Sequence, residues 1–182
     1  MTSVKGALNR AHLIGFDVST ADGNMINVLS TAQMALGSAN HINSIDFFVT
    51  GGPALVIPNF ESIDLLTVDC VTNDTHAHVT TVGNFSKWDR VWLYEIGTYT
   101  LASQEVLQVV DITASILTFK TLAIADHHVA DTGTAAVVGD YNGYIPVDTG
   151  MSYSQEGLDW KSLGIRKFSA ADVRIRGTAV VV

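Results

Sequence analysis

The residues best equipped to bind a metal or move a proton are histidines in two short segments. His76 and His78 stand at i and i+2, which on a strand puts both rings on one face. Asp126, His127 and His128 are adjacent, and Asp131 follows closely. Imidazole nitrogens and carboxylate oxygens are ligands of zinc and other transition metals. If folding joined the two segments, His76, His78, His127 and His128 would make a metal set. The alternative is polar residues at strand ends and on a turn. The spacing is unspecific, and the expectation is a chain without metal or cofactor.

Nucleophilic chemistry has little to work with. Cys70 is the single cysteine, which excludes an intrachain disulfide and reads as a small buried apolar residue. A Cys70–His76 dyad needs a base aimed at the thiol, which neighbouring strand positions alone do not provide. The chain has no G-x-S-x-G, H-E-x-x-H, C-x-x-C or P-loop. Gly51-Gly52 lacks the Lys-Ser/Thr and the helix that a phosphate cradle needs. Eighteen acidic residues always contain some carboxylate pairs, and none is singled out for glycoside chemistry. The expectation is a protein that is not an enzyme.

Aromatic residues offer another chemistry. Trp88, Trp92, Tyr94 and Tyr99 suit either a sugar-stacking face or the filling of a barrel or interface. Trp92 and Tyr94 share a face if 91–96 is a regular strand. Tyr141, Tyr144 and Tyr153 lie in or beside a Gly- and Tyr-rich loop, 140–153, and fit an interface.

Charge is sorted along the chain. Residues 11–160 hold seventeen of the eighteen acidic residues and three basic ones, Lys87, Arg90 and Lys120. The ends carry Lys5 and Arg10, and Lys161, Arg166, Lys167, Arg174 and Arg176 against Asp172. The net charge of −8 argues against a broad nucleic-acid footprint. No apolar h-region marks a signal peptide, and no stretch approaches the ~18 apolar residues of a membrane span.

The elements that must position these groups are mostly strands. With 47% apolar and 15% charged residues, the chain can bury a core. Residues 12–18 read as a strand. Residues 25–36 read as a helix ending at Gly37, or as an extended arm on a partner. Residues 44–50 and 54–57 flank Gly51-Gly52-Pro53 as a hairpin, and 63–72 and 76–82 flank Asn73-Asp74-Thr75 as a second. Block 83–139 reads as four strands with short connections, an antiparallel meander. A short helix is expected at 155–163, and a strand at 172–182 with Val173 and Ile175 opposite Arg174 and Arg176. The fold class is mainly β: a small antiparallel barrel or sandwich with extended termini and one or two short helices. Its parts are an arm (1–11), a β-rich body (12–171) and a C-terminal strand or assembly tail (172–182).

The arm Met1–Ala11, the block with its "VWLYEIG…EVLQVVDI…ILTFKTL" course, and the closing Asp172–Val182 resemble structural proteins of tailed bacteriophages. That resemblance implies a non-enzymatic virion subunit, first a capsid decoration or cement protein, second a head–tail connector or tail protein. A glycan-binding β-module is the alternative from another class. The implied partners are copies of the chain and other virion proteins, with no membrane. Interface candidates are Lys5, Arg10, Tyr141, Tyr144, Arg174, Arg176, Val180 and Val182. A bare valine end is an aggregation hazard unless paired, so strand addition to a neighbour is expected there.

Overall fold

The computed structural model describes residues 12–20, 26–27, 41–60, 62–138 and 144–181. They form fourteen strands and three single 3-10 turns. The strands are β1 (His12–Thr20), β2 (Ile26–Asn27), β3 (Ile42–Thr50), β4 (Ala54–Pro58), β5 (Ser62–Leu65), β6 (His76–His78) and β7 (Arg90–Glu95). They continue with β8 (Glu105–Thr113), β9 (Ile116–Phe119), β10 (Gly133–Val138), β11 (Ile145–Val147), β12 (Ser152–Trp160), β13 (Leu163–Lys167) and β14 (Val173–Val181). Every pairing is antiparallel. The mainly β fold expected from the sequence is present, and among the described residues no helix is long and apolar enough to cross a membrane.

Three sheets are stacked. The first runs β1-β14-β3-β12 and the second β11-β4-β13-β2. The third runs β5-β10-β7-β8-β9-β6 and curls into a half-barrel. Alternation explains the stacking, because successive side chains point to opposite faces of a strand. In β3, Ile45, Phe47 and Val49 turn inward toward Ala54 and Val56 of β4 and Leu163 and Ile165 of β13. The other face of β4, Leu55 and Ile57, meets Trp92 and Tyr94 of β7. The opposite face of β7, Val91 and Leu93, joins Leu107, Leu117 and Phe119 inside the half-barrel. The second sheet is therefore buried on both faces, as the unbroken burial of β4 and β13 records.

The aromatic layer is where burial contributes most per residue. Trp92 and Tyr94 are both 0% exposed. Rings of this kind bury about 150–250 Å², so each contributes at most roughly 4–6 kcal/mol of gross hydrophobic free energy. Between them and the second sheet lies Arg166, also 0% exposed. Its guanidinium sits 4.2 Å from the Tyr94 ring centroid and 5.9 Å from that of Trp92. Its Nη2 donates to the carbonyls of Glu95 (2.6 Å) and Thr98 (2.9 Å). Burial pushes its pKa down to about 10, so it stays charged at neutral pH.

Several expected elements differ. Residues 44–50 and 54–57 are strands, but they are not a hairpin: β3 lies in the first sheet and β4 in the second. Gly51, at φ +89°, turns the chain from one sheet to the other, and a Cβ there would collide with the Asp172 carbonyl. That packing ties the crossing to the return crossing between β13 and β14, where the Phe168 N–H donates to the Pro53 carbonyl at 2.8 Å. The helix expected at 155–163 is instead the end of β12 and the start of β13. Leu158 and Trp160 are buried around exposed Asp159, a period of two, and Gly157 at φ +69° lies at the register shift. In the helix expected at 25–36, Ile26–Asn27 is strand, and 28–36 lies outside the described residues, as does the arm 1–11. The long loop 140–153 contains β11 and the start of β12.

The strand expected near the C-terminus exists as β14, but it is an inner strand. It pairs with β1 over nine residue pairs, His12↔Val181 through Thr20↔Val173. On its other side it pairs with β3 from Arg174↔Thr50 to Val181↔Ile42. Both ladders are taken within the chain, so β14 has none left to add to a neighbour.

Arg166 yields a stability prediction. A lysine cannot serve both carbonyls and lie flat on Tyr94, so Arg166→Lys should cost about 1–3 kcal/mol. Arg166→Ala should cost about 3–5 kcal/mol through the added cavity. Urea unfolding followed by tryptophan fluorescence reads both, and a loss within error of zero for Arg166→Ala would contradict this account.

Candidate functional site

The His127 segment meets the residues before His76, 70–74, through backbone, while His76–His78 pairs with β9. Cys70 and His127 form an isolated antiparallel bridge, with N–H···O bonds of 3.0 and 2.7 Å. Asn73 N–H donates to the Ala123 carbonyl and Ala123 N–H to the Asp74 carbonyl, both at 2.8 Å. Carboxylates complete the seam. Asp126 Oδ1 accepts from Thr72 N–H (2.7 Å) and Thr72 Oγ1 (2.8 Å), which hold its pKa below the usual carboxylate range. Asp69 Oδ1 accepts from Val129 N–H at 2.7 Å.

The four histidines nonetheless go separate ways. His76 and His78 lie on β6 with ring centroids 5.6 Å apart. His127 is fully buried, its Nε2 3.0 Å from Glu105 Oε1. Glu105 also accepts from Ile124 N–H (2.9 Å) and Ala125 N–H (3.3 Å), so it pins the loop from inside. The His128 backbone N–H and Nδ1 both reach Glu95 Oε1, at 2.7 and 3.1 Å. That bond raises the His128 pKa above its ordinary value.

The group of metal-ligating side chains that does gather among the described residues is Glu95, His128 and Asp131, with ligand atoms within 4.8 Å of one another. Ligands about 2.1 Å from a shared ion stand at most about 4.2 Å apart. The Glu95–His128 hydrogen bond already accounts for the closeness. Glu95 and Glu105 carry the local chemistry, and sequence reading missed both. The one available signal was an acidic residue inside an otherwise apolar strand.

Cys70 lies opposite His127, not paired with His76. Burial first, then the nearby carboxylates, push its thiol up to about 12. It is a protonated core thiol at neutral pH, not a nucleophile.

The seam segments share a surface property. Ten large apolar side chains are prominently exposed among the described residues, and six of them lie at 65–71 and 122–129: Leu65, Val68, Val71, Leu122, Ile124 and Val129. Ile124 is 76% exposed. Asp69, Asp74, Asp126 and Asp131 belong to the same or adjoining segments, so exposed apolar and acidic side chains are interspersed along them.

The outer face of the first sheet carries charges of both signs. Asp17 accepts from Arg174 Nε and Nη2, both at 2.7 Å, and from Arg176 Nε at 3.0 Å. Two cations share this anion on β1 and β14, while exposed Asp46 of β3 and Glu156 of β12 lie on the same face. Leu13, 72% exposed, is paired with Val180 in register, and Phe48 with Arg176.

Other interface candidates are scattered. Tyr144 is half-buried and stacked on Trp92 at 5.4 Å. Tyr153 is half-buried against Phe47 at 5.2 Å. Lys5, Arg10, Tyr141 and Val182 lie outside the described residues. Of the aromatics expected to stack on a sugar, Trp92 and Tyr94 are buried. Trp88 is 65% exposed, on a turn at φ +76°.

No family model matches the chain, and no curated protein matches it. Among solved structures, it is similar to the Gp54 tailspike of Acinetobacter baumannii bacteriophage AP22, solved with A. baumannii capsular saccharide. The TM-score is 0.40 and the identity 16%, over 45% of this chain and 15% of the tailspike. It is also similar to VP17, a capsid protein of bacteriophage P23-77, with a TM-score of 0.19 and 9% identity over 96% and 97% of the chains. The VP2 subviral particle of infectious bursal disease virus aligns at 0.15 and 10% identity, over 94% of this chain and 41% of VP2. These likenesses are too distant to transfer a role.

Two titrations follow from the geometry. The Asp17 pKa is lowered, chiefly by the Arg174 hydrogen bond. Its contribution is therefore present above the ordinary carboxylate range and lost as pH falls through the lowered value. Asp17→Asn should flatten the acid limb of a stability–pH curve. For Cys70, a thiol reagent at mildly alkaline pH should react only after unfolding. Rapid labelling of the native protein would contradict its placement.

Proposed function

We propose that the chain is a non-enzymatic structural subunit of a phage particle, first a capsid decoration or cement protein. A head–tail connector or tail protein is the second assignment. The resemblance in composition and layout supplies the phage context. The observation that carries the assembly role is the apolar patch at 65–71 and 122–129.

The patch combines exposed apolar and acidic side chains, as protein interfaces do. Its backbone is tied down by the Cys70–His127 bridge and by Asp69, Asp126 and Glu105. A surface held in advance loses less entropy on docking. The acidic side chains of the patch are complementary to the Arg174–Arg176 pair on the first sheet. The contact is head-to-tail: the patch of one copy meets the first sheet of the next. Such a heterologous contact forms rings or extended arrays. Charge would set orientation and association rate more than affinity.

The glycan-module reading loses its original support, because the faces of Trp92 and Tyr94 are packed inside the protein.

Ile124→Lys keeps an exposed position exposed and places a cation opposite the arginine face. Self-association, followed by analytical ultracentrifugation, should fall at least ten-fold while the melting temperature holds. Association of the unaltered chain should also weaken as salt rises. A chain that stays monomeric at all concentrations and fails to bind purified particles would refute the assembly role. So would an Ile124→Lys variant that assembles normally.

A further inference from the structure

Among the described residues the three sheets end in six edge strands, and five of these edges are blunted. β2 has two residues, and β11 has three, Pro146 among them. β5 and β6 have four and three, and a Leu66–Val79 bridge joins the chain just past their ends. β12 is long, but its ladder with β3 breaks between Glu156 and Trp160, and Glu156 and Asp159 are exposed on it. Shortness, proline, bulges and charge are the means by which proteins keep sheet edges from pairing.

β1, at the end of the first sheet, is the exception. It is nine residues long, and its register with β14 is unbroken from His12 to Thr20. Asp17 is held by Arg174 and Arg176 of its own chain, and Leu13 is 72% exposed. Among the described residues its main chain is bonded on the β14 side alone. Gly15 is a second, independent observation. A glycine inside a strand weakens it, and marks a bulge, a bend or the close approach of another backbone. Gly164 and Gly177 have reasons within the chain: a Cβ would collide with the Phe60 side chain in one case and the Asp46 carbonyl in the other. β1 has no bulge, and a Cβ on Gly15 would meet nothing within 4 Å, so nothing among the described residues requires a glycine there.

We propose that β1 pairs antiparallel with β1 of a second copy about a two-fold axis, joining two four-stranded sheets into one. The facing of its side chains fixes the register. Ile14, Phe16 and Val18 belong to the inner face, and full overlap of the strand puts Phe16 on the axis. Ile14 then lies opposite the partner's Val18, and Leu13 opposite the partner's Ser19. Asp17 lies opposite the partner's Gly15, the position without a side chain. No like charges face each other, and the exposed Leu13 gains a neighbour. Inside, the row of Phe47 and Phe16, with ring centroids 6.5 Å apart, continues into the partner's Phe16. This self-complementarity makes the occupant a second copy of the chain. The contact uses neither the apolar patch nor an exposed ion pair, so it stands apart from the head-to-tail contact and is insensitive to salt.

Leu13→Cys/Ser19→Cys in the full chain tests the register. The two sites are about 20 Å apart along one strand, too far for a bond within a chain. Each lies opposite the other's position in the partner. Cys70 is buried and protonated, so it does not compete. Mild oxidation should give a covalent dimer on a denaturing gel, and neither single variant should. Leu13→Lys/Ser19→Lys, at exposed positions, sets like charges opposite each other at both ends of the ladder. In analytical ultracentrifugation it should weaken the dimer at least ten-fold with the melting temperature unchanged. Ile124→Lys should stop growth beyond the dimer and leave the dimer itself intact in low and high salt, which separates the two contacts. Absence of a dimer would overturn the proposal. So would a dimer that the lysine pair does not weaken, or a double-cysteine variant that forms no cross-link.

Discussion

The stack of sheets depends on one buried cation. Arg166 sits fully buried between the second sheet and the half-barrel. Removing a guanidinium from water costs several kcal/mol, and the protein must return that through other contacts. Two carbonyls and the Tyr94 ring face do so here. One carbonyl belongs to Glu95, the last residue of β7, and the other to Thr98 in the turn after it, so that turn has to be rigid. Glu95 makes it so, with its carboxylate on His128 and on the Thr98 hydroxyl at 3.1 Å. A residue of the second sheet is thereby coupled to the loop that carries the apolar patch. The same demand commits Trp92 and Tyr94 to the interior.

The sorting of charge along the chain has a mostly internal resolution. Arg166 and Lys167 are buried, Lys167 beside Asp172 at 3.7 Å and the Tyr99 ring at 5.6 Å. Arg174 and Arg176 meet Asp17 within the first sheet. What remains outward is a local Arg174–Arg176 pair around Asp17, on a sheet face that also carries Asp46 and Glu156. That remainder is smaller than the sequence suggested, but it is placed on a defined surface.

The strands of 83–139 were legible because they alternate cleanly, but only β7, β8 and β9 follow one another in the sheet, and β10 returns to pair with β7. The two-faced burial of β7 could be read directly from Val91 and Leu93 against Trp92 and Tyr94. Sheet membership was not legible. Gly51-Gly52-Pro53 suits a hairpin as well as a crossing, and the choice was made by contacts with 168–172, over a hundred residues away. Glu156-Gly157-Leu158 sits among helix-compatible residues, and only neighbouring β3 makes its period two.

The position of β14 sets an order of events for folding. Its ladder with β1 joins Asp17 to Arg174, residues 157 apart in sequence. Closing such a separation is entropically expensive, and long-range β pairing is correspondingly slow. The half-barrel meander is mostly local and can form first. While the chain is being made, β1 must wait for β14, its neighbour in the first sheet, whereas β3 can already pair with β12. The first sheet closes only once β14 is made. The surface carrying Arg174, Arg176 and Leu13 comes into being only then, so a half-made chain has no way to join an assembly through it.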